Sequence, residues 1–440
     1  MILDASLDDL LQKVWQGHRI SQAEAPRLYY LPLEELAALA DRRRWLAKAR
    51  DYAGRGNAIV TYIIDRNVNY TNVCNVYCKF CAFYRTEADD DAYVISLDEM
   101  DRKIEETVGL GGTQILMQGG HHPKLTKQWY LDLLGHIKTR FPQVNIHGFS
   151  PSEFVHFRDV FNQPLEEIIS EFKAAGLGSI PGGGGEILVD RVRKRISPLK
   201  AMSDDWLEVM DVAHRFGLNS SATMMFGHVE TIEERIEHLE RIRAQQDKSL
   251  QRAAAVPPPR PVTERGIHSA EALATGGGGG MNSALRPDKS SALGSECDKQ
   301  RSDEPRPLGK DAPVSPSGEM LETHSPIGFT AFICWTFQAE NTKLRAPTVG
   351  AHEYLRTQAL SRIYLDNIPN VQSSWVTQGP EIGQIALKFG ANDLGSIMIE
   401  ENVVSQAGTT FRLGVDDMHR LIKDLGYEPR QRDNWYRLLN

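Results

Sequence analysis

Three cysteines within eight residues, Cys74-Asn-Val-Tyr-Cys78-Lys-Phe-Cys81, are the part of this 440-residue chain best suited to chemistry. Thiolates are the usual ligands of iron–sulfur clusters. Spaced Cys-x3-Cys-x2-Cys, they can hold three corners of a [4Fe–4S] cubane and leave the fourth iron without a protein ligand. A closed structural cluster or a tetrahedral zinc site wants a fourth donor. The remaining cysteines do not supply one: Cys297 lies in a stretch without apolar pattern, and Cys334 lies on a strand-like run far along the chain. A Cys3His zinc site and a non-catalytic cluster protein are the competing readings of the same loop. Five cysteines, an odd number, crowded in this way suit metal binding in a reducing cytoplasm and not a secreted disulfide framework.

The elements that must position this loop recur with a regular rhythm. Short apolar, β-branched runs at 58–64, 114–117, 144–147, 177–180, 221–226 and 329–335, with weaker ones at 371–376 and 391–397, alternate with helical patterns. Strand then helix, repeated about eight times, predicts parallel βα units and an α/β fold of the (β/α)8 TIM-like barrel type. Extra helices flank it: an N-terminal helical segment over 1–55, with Ser6 capping a helix through Leu10, Leu11, Val14 and Trp15, and a C-terminal helical segment over 413–440. The barrel itself takes 56–248 and 326–412. In such barrels the active site forms at the C-terminal ends of the strands. The cysteines, Gln118-Gly119-Gly120, His121 and His122, His147 to Ser150, the glycines 182–185 and His228 all follow a strand directly. One shared pocket is the expectation.

Residues 249–325 break the rhythm with Pro257-Pro258-Pro259, five consecutive glycines at 276–280 and scattered polar residues. Without an apolar period this insertion is expected to be disordered. It falls on the helix-to-strand side of a barrel, away from the active-site face. The net charge of −8, from 50 basic and 58 acidic residues, argues against a nucleic-acid surface. The N-terminus has no basic region followed by an apolar run, and no apolar run is long enough for a membrane span.

The cysteine spacing, with Phe80 before the last ligand, resembles the radical S-adenosylmethionine (SAM) superfamily signature. Further runs carry the resemblance across nearly the whole chain outside 249–325: Gln118-Gly-Gly-His-His-Pro123, His147-Gly-Phe-Ser-Pro151, Ile180-Pro-Gly-Gly-Gly-Gly-Glu186, Thr223-Met-Met-Phe-Gly-His228, Trp335-Thr-Phe-Gln338 and Ser374-Trp-Val-Thr-Gln-Gly379. Together they resemble the cyclic dehypoxanthinyl futalosine synthases of the futalosine route to menaquinone. The aminofutalosine synthases and the deazaflavin-forming radical enzymes share much of this pattern. Gly185 stands where the family pattern has Ala, and Cys334 and Ala339 where it has prolines.

The resemblance implies a [4Fe–4S] cluster on Cys74, Cys78 and Cys81 whose open iron binds SAM, and a one-electron donor such as flavodoxin or ferredoxin. It implies a 5′-deoxyadenosyl radical that takes the sugar C4′ hydrogen of dehypoxanthine futalosine, after which the carbon radical adds to the benzoate ring. For cofactor binding it points to Phe80 beneath the adenine, Gly119 and Gly120 (with Gln118) at the methionyl amino group, and Glu186 at the ribose hydroxyls. Restoring aromaticity needs a base, and His147 and His122 are the candidates. Arg85 or Arg191 is expected to pair with the benzoate, and Ser150, Gln338 and Thr377 to bond the substrate.

Overall fold

The computed structural model describes residues 5–255 and 328–439. Ten strands form one sheet in which every pairing is parallel: β1 (Ile59–Ile63), β2 (Asp65–Val68), β3 (Gln114–Met117), β4 (Asn145–Gly148), β5 (Leu177–Ile180), β6 (Asn219–Phe226), β7 (Phe329–Thr336), β8 (Asn370–Gln372), β9 (Asp393–Ser396) and β10 (Glu428–Gln431). From β2 to β9 each strand lies beside the next in sequence. Only Ile64 separates β1 from β2, yet β1 pairs with β9 while β2 pairs with β3. One stretch of chain therefore holds both ends of the series, and the sheet curls into a TIM-like α/β barrel.

The connecting helices explain why the strands do not alternate between an apolar and a solvent-facing side. Helices Leu97–Gly109, Lys127–Arg140, Leu165–Ala175, Ser203–Arg215, Ile232–Ala255 and Ala351–Tyr364 follow successive strands, and β1 is buried at all five positions. A parallel sheet covered on its outer face by helices has no solvent face, so alternation disappears. Local signals set the helix starts: Ser96 Oγ accepts the Glu99 N–H, and Thr126 Oγ1 accepts the Trp129 N–H. Between β4 and its helices, Tyr130, Phe149, Phe154, Phe157 and Phe172 pack ring against ring, mostly edge-on.

Several boundaries differ from the sequence expectation. The helix after β6 runs through Ser249, which is buried, to Ala255. Its polar side chains Gln245, Gln246 and Ser249 face inward because they bond Asp211, the Phe329 backbone and His214, so polarity there was not a sign of disorder. The rest of the expected insertion, from 256 to 325, lies outside the described residues. The C-terminal segment holds not only a helix (Val415–Asp424) but β10, which pairs with β1. Ser6 lies inside a helix that already includes Ala5, and its hydroxyl accepts from Arg27 Nη2.

Candidate active site

The cysteine loop leaves β2 and is tied down by neighbouring loops at the same end of the barrel. Cys74 N–H donates to Arg85 O, Asn75 N–H to His121 O, and Lys79 N–H to Ile196 O. The Lys343 and Leu344 N–H groups both donate to Lys79 O, and Gly120 N–H donates to Thr71 O. Tyr77 turns the loop between Cys74 and Cys78 at φ +54°, a strained value for a tyrosine. Contacts from three other βα connections, those after β3, β5 and β7, thus hold the loop that carries the three thiols.

All three cysteines line a cavity of about 440 Å3 at the barrel mouth, together with Phe80, Gln118, Gly119, Gly120, His147, Ser150 and Glu186. Gln338, Thr377, Lys200 and Arg432 line it too. Burial pushes the Cys78 thiol up to about 12 and raises Cys81 as well. Among the described residues no three His, Cys, Asp or Glu side chains converge on one point as a single ion requires. Three thiols on one loop are the donor set of an iron–sulfur cluster, whereas a mononuclear zinc wants a fourth donor. Cys334 offers no fourth ligand: it is fully buried in β7 and its Sγ donates to Gln358 Oε1 at 3.1 Å.

Beside the cysteines sits a buried charge cluster. Lys200 Nζ lies 2.7 Å from Glu186 Oε1 and 5.2 Å from the centre of the Phe80 ring, and Arg193 Nη1 lies 3.4 Å from Glu186 Oε2. Burial works against the charge on Glu186, but Lys200 and Arg193 outweigh it and hold the carboxyl below its ordinary range. Glu186 adopts φ +30°, so the glycine-rich turn before it bends the backbone to aim this carboxylate.

Behind the loop after β3, Glu153 is buried and accepts four donors: Tyr70 Oη at 2.7 Å, Gly119 N at 3.1 Å, and the N and Oγ of Ser150 at 2.7 Å each. The glycines have packing reasons of their own. A Cβ on Gly119 would meet the Tyr70 ring at 2.6 Å, and one on Gly120 would meet Val73 O at 2.1 Å and Cys74 Cβ at 2.9 Å. The Gly119 N–H is spent on Glu153, so it is not free for a cofactor, and Ser150 caps its helix.

Other expected residues lie elsewhere. His122 does not line the cavity; its Nδ1 accepts the Lys124 N–H at 3.1 Å, whereas the adjacent His121 does line it. His228 is buried against Glu230. The Arg85 guanidinium is spent on Asp91 and on the Ala82, Phe83 and Tyr84 carbonyls, stapling the cysteine loop. Arg191 is half-exposed and paired with Glu234. Among the described residues the only Lys or Arg side chains lining the cavity are Lys200 and Arg432, the latter held bidentately by Asp393 at 2.5 and 2.9 Å. Neither had a signal in the sequence. Glu153 did, as the acidic partner three residues after Ser150 in a capping box.

Barrel fold and three-thiol loop together define a radical SAM enzyme. The Radical SAM superfamily model matches residues 68–242, and the CofH/MqnC C-terminal region model matches 326–440. The chain is 36% identical to the cyclic dehypoxanthine futalosine synthase of Halalkalibacterium halodurans, over 99% of this chain and 95% of that one. It is 39% identical to the protein of the same name from Streptomyces coelicolor, over 98% and 88%. An aminodeoxyfutalosine synthase from Thermus thermophilus is 30% identical over 99% and 96%. The chain belongs to the radical SAM superfamily, in the family that includes the cyclic dehypoxanthine futalosine synthases. Among solved structures, methylornithine synthase superposes with a TM-score of 0.61 at 13% identity, covering 96% of this chain and 97% of that one. The hydrogenase maturase HydG from Carboxydothermus hydrogenoformans gives 0.61 at 13%, covering 98% and 81%, and both likenesses concern the fold alone.

Proposed function

We propose that this protein is a cyclic dehypoxanthine futalosine synthase of menaquinone biosynthesis, converting dehypoxanthine futalosine to its spirocyclic product. The carrying observation is identity of 36–39% to two proteins of that name over almost the full length of each chain, against 30% for an aminodeoxyfutalosine synthase. When bound, the [4Fe–4S] cluster and SAM supply a 5′-deoxyadenosyl radical able to remove the sugar C4′ hydrogen.

The protein's own part is to hold and shield. Cys74, Cys78 and Cys81, which line the cavity, would ligate the cluster. Phe80 would pack against the adenine of SAM. Glu186, oriented by Lys200 and Arg193, would accept the ribose hydroxyls, and the backbone at Gln118, Gly119 and Gly120 would border the methionyl end. Gln338 and Thr377 would contact the substrate across the cavity. Burial within a closed barrel keeps water from the reacting carbons. A one-electron carrier such as flavodoxin or ferredoxin would serve as reductant, and free thiols of this kind suit the cytoplasm. No helix among the described residues is long and apolar enough to cross a membrane.

The test is direct. Anaerobically reconstituted protein with dithionite, SAM and dehypoxanthine futalosine should give 5′-deoxyadenosine and the cyclic product by mass spectrometry. Formation of 5′-deoxyadenosine without that product would move the protein to a neighbouring activity of the family.

A further inference from the structure

A chain of buried polar side chains crosses the barrel interior and ends on His147, and every proton and acceptor along it finds a partner when its hydrogen bonds run in one sense. Ser396 Oγ accepts the Met398 N–H at 2.7 Å, so its own proton goes to Asp65 Oδ1. The other oxygen of Asp65 accepts Gln114 Nε2 at 2.9 Å. That fixes the Gln114 amide with its oxygen toward Asn145, whose Nδ2 donates to it at 2.9 Å and also to Ser179 Oγ at 3.0 Å. Having accepted from Asn145, the Ser179 hydroxyl turns its proton to the one remaining partner, His147 Nδ1, at 2.8 Å. These residues sit on β9, β2, β3, β4 and β5 and are all buried.

The consequence concerns the tautomer. An imidazole that accepts at Nδ1 carries its proton on Nε2. His147 lines the cavity, and its Nε2 has no protein partner among the described residues. We propose that His147 serves as a fixed hydrogen-bond donor, presenting Nε2–H to an oxygen of the substrate, with Ser179 and Asn145 as positioning residues, and that it is not the base. This departs from the role suggested by sequence, and it rests on the reading of the function above. Burial agrees with it: together with the nearby Arg432, it holds the His147 imidazole down near 3, so the ring stays neutral through the working range. Both nitrogens are then committed, one lone pair to Ser179 and one proton to the substrate.

Glutamine and asparagine separate the alternatives, because a Gln amide nitrogen reaches the Nε2 position and an Asn amide reaches only the Nδ1 position. With dehypoxanthine futalosine and SAM, H147Q should keep kcat/KM for the cyclic product within about tenfold of wild type, whereas H147N should lose about 100-fold, the scale of one buried hydrogen bond. The profile of kcat/KM from pH 5.5 to 8.5 should have the same shape in wild type and H147Q. S179A should fall between the two and add little to H147N, since both break the same link. Iron content and the far-ultraviolet circular dichroism spectrum should match wild type in all of them, which separates this effect from misfolding. The proposal is overturned if H147Q is as slow as H147N, or if wild type shows a pH limb near 6 to 7 that H147Q lacks. Failure of wild type to make any cyclic product would instead refute the proposed function.

Discussion

Lys200 bridges two residues that lie more than a hundred positions apart in sequence, Phe80 and Glu186: its ammonium stands 2.7 Å from the Glu186 carboxylate and 5.2 Å from the Phe80 ring centre. Phe80 lies between Cys78 and Cys81, two of the proposed cluster ligands, and Glu186 ends the glycine-rich turn after β5. One cation therefore couples the wall of the proposed adenine site to the proposed ribose site.

Replacing Glu186 by Gln leaves Lys200 and Arg193 buried without their counter-charge. Removing one partner of a buried ion pair costs about 3–5 kcal/mol. E186Q should show a clearly lowered thermal midpoint and weak SAM binding by equilibrium dialysis. The double variant E186Q/K200M should regain part of the midpoint but not the binding. Equal SAM affinity in wild type and E186Q would remove Glu186 from the cofactor site.

Gly120 sets how closely the cysteine loop approaches the loop after β3. A methyl group there would sit 2.1 Å from Val73 O, a backbone atom that cannot turn aside. G120A should therefore displace Cys74 and bind substantially less iron after reconstitution, while its circular dichroism stays close to wild type. G119A strikes the Tyr70 ring instead and should disturb the Tyr70–Glu153 hydrogen bond; its stability loss should be on the order of 1–3 kcal/mol by urea titration.

Much of this was legible in the residues because parallel strands announce themselves as apolar runs. The runs expected at 114–117 and 177–180 coincide with β3 and β5, and those at 144–147 and 329–335 fall within a residue of β4 and β7. What escaped was β2, whose Asp65, Arg66 and Asn67 are polar and yet buried. Asp65 belongs to a hydrogen-bonded layer inside the barrel, and a buried polar strand has no apolar signature. The three cysteines that line the cavity were legible from spacing, since a cluster would dictate their local geometry. Lys200 and Arg432 were not, because each reaches the cavity through tertiary packing from a loop or tail without a motif. Arg85 misled for the opposite reason: proximity to the ligands suggested substrate contact, whereas its donors are consumed by the loop itself.

Acid should destabilise the fold well before carboxylates titrate. Burial lowers His147, His214 and His238 from 6.5 to about 3. Two serine hydroxyls bracket His214, each at 2.7 Å, and His238 Nδ1 accepts the Leu188 N–H at 2.9 Å. These rings stay neutral in the fold but take a proton once unfolded, so the unfolded state binds more protons below pH 6.5. Their contribution is complete above that pH and is lost progressively between 6.5 and 3, by about 1 kcal/mol per ring per pH unit. The urea midpoint should drop steadily from pH 6.5 to 5. H238N, whose amide oxygen can stand at the Nδ1 position and keep an acceptor for Leu188, should have a shallower slope; a flat midpoint across that window in wild type would contradict this assignment.

The cysteines give the sharpest contrast between similar-looking residues. Cys78 and Cys334 are both buried thiols pushed up to about 12 by burial. Cys78 shares its cavity with Cys74 and Cys81, while Cys334 lies in the core between β7 and the helix Ala351–Tyr364, donating to Gln358. Removing a ligand should cost the cluster, and removing a packed thiol should cost only stability. C78A should be colourless after reconstitution, with iron far below wild type and no 5′-deoxyadenosine. C334A should reconstitute fully and turn over normally, with a loss of about 1–2 kcal/mol from the small void and the unpaired Gln358 oxygen. C297A, at a position outside the described residues, should match wild type in all three measurements. Cluster loss in C334A would mean that the core thiol, and not the loop alone, serves the iron.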